Sequence, residues 1–164
     1  MPVPILLKDQ HSIVFAIEDN AGANFKPYII HNSIPENWQQ TIGADDPHRQ
    51  YALAEKVEEV TYAGAPYLRQ LSTGETILSY QGTEGRTHKM ENAEMKVVIG
   101  NAAAGQFTSK SSPFPIPPNK NGLWNSLCIL DDDTIIALTS TNAYGPRTEV
   151  WMIKGRLQRG GKSH

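Results

Sequence analysis

Two neighbouring carboxylates, Glu18-Asp19, stand at the end of the apolar run Ile13-Val14-Phe15-Ala16-Ile17. An acidic side chain at the mouth of an apolar strand is partly desolvated, which disfavours its charged form and raises its pKa towards acid duty. Asp19 would then orient a neighbour or cap the turn announced by Asn20-Ala21-Gly22. The plainer alternative for both is an acidic turn. Arg69 sits inside an apolar strand, between Leu68 and Gln70, where an unpaired guanidinium is costly. Its planar fork either binds a carboxylate or hydroxyl of a ligand or makes a structural pair. Tyr67, two residues earlier, shares that face of the strand and offers a hydroxyl or a stacking ring. Glu84 and Arg86 belong to the loop expected at Gln81–Arg86, a kind of segment that often carries function. Trp124 stands at the mouth of a further strand, placed for stacking on a ligand or for filling a core. His48 is a weaker candidate in the long stretch 39–61. Asp131-Asp132-Asp133 could hold a hard cation, but no spacing of a known metal loop follows it, and no metal site is assigned.

The elements that must position these residues repeat along the chain. An apolar strand, a short polar turn and a β-branched strand occur three times. The copies are Pro4–Leu7 with Ser12–Ile17, Tyr67–Leu71 with Thr76–Tyr80, and Ser126–Leu130 with Thr134–Thr139. The last leucine before each turn is Leu7, Leu71 and Leu130, so the period is about sixty residues. Each hairpin is followed by another apolar strand: Pro27–Ile30, Met95–Gly100 and Val150–Gly155. Four-stranded antiparallel units of this size are propeller blades, and a single β-sandwich is the competing architecture. The expectation is an all-β chain of about three four-stranded blades, at 1–62, 63–120 and 121–164, with a few peripheral helical turns near Asp46–Ala54.

Composition narrows the functions. The 164 residues carry 15 Lys+Arg against 17 Asp+Glu, so the basic stripe of a nucleic-acid binder is not expected. No apolar run is long enough to span a bilayer. Neither a glycine-rich dinucleotide fingerprint nor a P-loop is present, and no cofactor is expected. The single cysteine, Cys128, lies in the apolar run Leu127–Leu130 and reads as a buried structural thiol. No signal peptide is visible, which leaves localisation open: secreted or periplasmic if a longer precursor carries the chain.

The wording of the blades resembles a known family. Gly64–Leu71 with Thr73–Gln81, together with Ile17–Asn20, Gly122–Leu127 and Glu149–Arg156, is similar to the six-bladed propellers of the sialidase (neuraminidase) superfamily with BNR-like repeats, especially sialidase-like and exo-arabinanase-type glycoside hydrolases. The resemblance fits the C-terminal half of such a protein. It implies hydrolysis of terminal sugars by two carboxyl groups, one protonating the leaving oxygen and the other acting as nucleophile or base. In that frame Glu18 and Arg69 take catalytic roles, while Asp19, Tyr67, Glu84, Arg86 and Trp124 bind carbohydrate. The partner carboxylate would come from further blades or from a second copy of the chain closing the ring. A non-catalytic carbohydrate-binding propeller and an inactive remnant are the alternatives.

Overall fold

The computed structural model describes residues 3–19, 26–33, 49–51, 60–84, 94–113, 125–140 and 149–159. Among them there is no helix, and the strands form three antiparallel sheets in chain order. The first blade contains β1 (Val3–Leu6), β2 (Ser12–Asp19), β3 (Lys26–Ser33) and β4 (Arg49–Tyr51). The second contains β5 (Val60–Gln70), β6 (Thr76–Glu84), β7 (Glu94–Gly100) and β8 (Phe107–Ser111). The third contains β9 (Asn125–Ile129), β10 (Ile135–Ser140) and β11 (Val150–Gly155). In every blade each strand pairs with its neighbour in sequence, which is the meander of a propeller blade.

The three expected hairpins turn in a similar way, the first with one residue more than the other two. The N–H of Leu7, Leu71 and Leu130 donates to the carbonyl of Ser12, Glu75 and Thr134 at 2.8, 2.8 and 2.9 Å. The carbonyl of the same leucine accepts the N–H of the residue three further on, which is Gln10, Gly74 or Asp133, at 2.9, 3.0 and 2.9 Å. Each of those three residues has positive φ: 62°, 106° and 59°. A turn closed by a left-handed residue matches the right-handed twist of the flanking strands. The β7–β8 hairpin repeats it, with Ala104 at φ 53°. Glycine takes the left-handed position only in the second blade; aspartate is tolerated there better than most residues, glutamine and alanine less so.

The blades pack face to face, and alternation along the strands decides what each face carries. Leu7, Val14 and Ala16 of the first blade meet Leu68, Leu78, Tyr80 and Val98 of the second. Ile77, Met95 and Val97 on the opposite face of the second blade meet Leu127 and Ala137 of the third. Strand β6 is therefore buried on both faces from Thr76 to Gln81.

Three expectations change. Arg49–Tyr51 is a strand, not a helical turn, because it pairs with Ile30, Ile29 and Tyr28 as the fourth strand of the first blade. Gln81–Glu84 is not a loop but the end of β6, paired with β5 as far as Val60. Cys128 is exposed, not buried: it alternates with Leu127 and so lies on the face of the third blade that no described strand covers. Leu130 is 41% exposed for the same reason, whereas Leu7 and Leu71 are 3% and 1% exposed.

Candidate functional site

The two ends of the blades have different chemistry. At one end the hairpin turns are clasped together. The Lys8 N–H donates to Gln70 Oε1 at 2.9 Å, and Lys8 Nζ donates to the Ser72 carbonyl. The Ser72 N–H donates to Asp133 Oδ1 at 2.5 Å, and the Ser72 hydroxyl donates to Asp133 Oδ2. Arg159 Nε donates to Glu75 Oε1 at 2.8 Å. Each clasp joins equivalent turns of adjacent repeats or ties one to the C-terminal segment. The acids here are held as carboxylates. Hydrogen bonds from Arg159 and then Thr73 bring the Glu75 pKa down to about 2. Asp133 is lowered chiefly by Ser72, Asp132 by Thr134 and Asp9 by Ser12. Asp132 also pairs with Arg156. Among the described residues no group of three or more His, Cys, Asp or Glu side chains is arranged to hold a metal ion.

Strands β2 and β6 both run away from this clasped end. Glu18 and Asp19 finish β2, where they pair with Pro27 and Lys26. Glu84 finishes β6, where it pairs with Val60. Glu18 is six residues beyond Ser12, roughly 20 Å at the usual strand rise. Two adjacent blades therefore bring Glu18, Asp19 and Glu84 to the end opposite the turns. Arg69 is not among them. It pairs with Ile77, the second pair from the turn, close to the clasped end.

Arg69 and Tyr67 do come together. The guanidinium carbon lies 5.8 Å from the Tyr67 ring centroid, and Nη1 donates to the Leu68 carbonyl at 2.8 Å. No carboxylate among the described residues pairs with this arginine. Tyr67 packs against the cluster between the second and third blades. Arg86, Trp124 and His48 lie outside the described residues.

The sequence reading missed a polar group in that same seam. Ser79 and Gln81 continue the face of β6 that Ile77 opens towards the third blade, and Asn125 shares the inward face of β9 with Leu127. Asn125 is 5% exposed and Gln81 1%. Ser79 Oγ, Gln81 Oε1 and both amide atoms of Asn125 have no hydrogen-bond partner among the described residues. Buried polar side-chain atoms without partners are uncommon, and ordered water satisfies many of them. The available signal was a polar residue at an inward position of an apolar strand. Asn125 carried it next to Trp124, but was read only as part of a repeat.

No known protein family matches the chain, and no curated protein does. Structurally it is similar to the crystal structure of an endo-arabinase from Bacteroides thetaiotaomicron, with a TM-score of 0.60 at 10% sequence identity. The match covers 97% of this chain and 56% of that one, so the chain spans little more than half the length of its neighbour. The likeness extends to the fold: the protein is an all-β, propeller-type assembly of three blades.

Proposed function

We propose that this chain is part of a glycoside hydrolase that cleaves terminal sugars from oligo- or polysaccharides, with Glu18 as one of its two carboxyl groups. One observation carries the reading: β2 and β6, in adjacent blades, both run away from the clasped turns, with Glu18, Asp19 and Glu84 at their far ends. The fold shared with an endo-arabinase supports carbohydrate as the substrate class. Glu18 protonates the leaving oxygen or attacks the anomeric carbon, and a second carboxylate across the bond takes the complementary role. Asp19 is assigned to sugar binding, as are Arg86 and Trp124, which lie outside the described residues. An exo mode, as in sialidases, is the finer part of this proposal.

The test is turnover of aryl-glycosides and of arabino-oligosaccharides by the purified chain, compared with Glu18→Gln and Glu84→Gln. Loss of at least a hundredfold in kcat for Glu18→Gln with unchanged far-UV circular dichroism supports the proposal. Equal turnover by the variant and the parent chain rejects Glu18.

The second reading is a non-catalytic carbohydrate-binding propeller, which the shared fold supports as well because it asks for no second carboxylate. It expects sugar binding by calorimetry that survives Glu18→Gln, with no turnover by either protein.

A further inference from the structure

The repeat makes the three blades comparable position by position. Gln70 pairs with Thr76 beside its turn, and Ile129 pairs with Ile135 beside the next. Counting outward from these pairs, Ile77 and Ser79 correspond to Ile136 and Leu138. Their partners Ile99 and Val97, with Met95 beyond, correspond to Lys154, Met152 and Val150. In the second blade these positions form the face that receives the third blade. Met95 is 2% exposed there and Val97 8%. In the third blade no described strand covers the same positions: Val150 is 71% exposed and Met152 66%. Leu138 pairs with Met152 and Cys128 with Ile136, so three strands contribute apolar residues to one face, which also carries Ser126, Ser140 and Lys154.

The first blade has the opposite vacancy. Leu6 pairs with Ile13 beside the first turn, so Pro4 and Phe15 correspond to Leu68 and Leu78. Leu68 and Leu78 are both 0% exposed, because they form the face by which the second blade sits on the first. Leu6 on the equivalent face of the first blade is 48% exposed and Pro4 is also exposed. One end of the stack thus carries a receiving face without an inserting one, and the other end carries the reverse.

We infer that these two faces dock on each other between two copies of the chain, the third blade of each copy receiving the first blade of its partner. The occupant is set by shape and chemistry. Each face has, within this chain, a buried counterpart packed by the kind of face that lies open at the other end. A head-to-tail contact of this kind closes when the rotation between copies is two-fold, and otherwise propagates into a filament. Closure is favoured by the size of the chain relative to a propeller: it matches 56% of the endo-arabinase, so two copies supply about one ring's worth of blades. Closure would also bring two sets of Glu18 and Glu84 to one end of a shared ring. The docking itself rests on the fold and not on the hydrolase reading.

The experiment is sedimentation velocity on the purified chain, with Leu138→Glu, Phe15→Glu and their equimolar mixture. The parent is expected at about 36 kDa, twice the 18.1 kDa of the chain. Each variant places a carboxylate in one of the two faces and weakens association at least about a hundredfold. In the mixture, the intact third-blade face of Phe15→Glu meets the intact first-blade face of Leu138→Glu, and a dimer reappears. A monomeric parent at 100 μM, a filament, or a dimer indifferent to Phe15→Glu overturns the proposal. The parent chain gives a second reading that needs no variant to fold. Its single cysteine, Cys128, should react with a maleimide at least tenfold more slowly in the dimer than in dilute monomer, and equal rates count against docking.

Discussion

Leu6 and Leu7 are adjacent, chemically identical and placed on opposite sides of the first blade. Leu7 is 3% exposed and packs in the cluster of Val14, Ala16, Leu68, Leu78, Tyr80 and Val98. Leu6 is 48% exposed. Replacing Leu7 by alanine removes about three carbon groups from a closed core. Transfer alone costs about 2.4 kcal/mol, and the cavity brings the total to about 3–4 kcal/mol. The turn is untouched, because Leu7 contributes only its backbone N–H and carbonyl to it. Leu6→Ala loses half-wet surface and leaves no cavity, so its cost is about 1 kcal/mol at most. The two variants should differ by about 2–3 kcal/mol, or about 4–12 °C in Tm for a chain of this size. Urea and thermal unfolding followed by circular dichroism measure this, at two protein concentrations tenfold apart to separate any contribution from association. Equal costs, or a larger cost for Leu6→Ala, at a concentration where the chain is monomeric would refute the assignment of blade faces and every inference built on it.

Two further outcomes follow from particular contacts. A Cβ on Gly100 would lie 2.5 Å from Thr76 Oγ1 and 2.7 Å from the Phe107 ring, and Thr76 is fixed by its bond to the Asn101 carbonyl. Gly100→Ala should therefore destabilise by about 1–3 kcal/mol, and an unchanged urea midpoint would show that the β7–β8 hairpin yields. Glu75 has its folded pKa depressed from 4.5 to about 2, so its contribution is complete above about pH 4.5 and disappears as pH falls towards 2. Solvent screening limits that contribution to about 1 kcal/mol. Glu75→Gln should narrow the stability difference from the parent across this window, and a difference that stays constant from pH 6 to pH 2.5 would exclude the Arg159 pair as its source.

Much of the fold was legible because each blade repeats the same local instruction. Apolar and β-branched runs on either side of Leu7, Leu71 and Leu130 mark the hairpins, and Gly74 and Asp133 suit the left-handed position that closes them. Gln10 and Ala104 take that position without an obvious signal, since the strand pairing on both sides imposes it. Arg49–Tyr51 carries no strand pattern of its own and is extended because β3 offers an edge. Burial was less legible than strand identity. Leu127-Cys128-Ile129 reads as uniformly buried, but a strand with one covered face buries only alternate residues. Whether a face is covered depends on the neighbouring blade, which a local pattern does not encode. The same limit hid Gln81 and Asn125, whose significance comes from two strands far apart in sequence meeting across one seam.

The distribution of carboxylates bears on where chemistry is available. A general acid must hold its proton near the working pH and release it in the transition state. Asp9, Glu75, Asp132 and Asp133 are unsuited to this, because the hydrogen bonds that clasp the turns stabilise their charged forms. For Asp133 and Glu75 these bonds also tie one repeat to the next or to the C-terminal segment, whereas for Asp9 and Asp132 the main ones lie within their own turns. Arg69, near the same end, is occupied with the Leu68 carbonyl and the Tyr67 ring. Glu18, Asp19 and Glu84 lie at the end where no turn of a described hairpin draws the blades together. The clasped end fixes the spacing of the blades, and that spacing determines how far apart β2 and β6 end. A pair of carboxyl groups about 5 Å apart would retain anomeric configuration, and a separation of about 6.5–9.5 Å would invert it. The bonds from Lys8 to Gln70 and Ser72 join the first and second blades, so for a Glu18–Glu84 pair they, and not the Ser72–Asp133 bonds between the second and third blades, would set the separation.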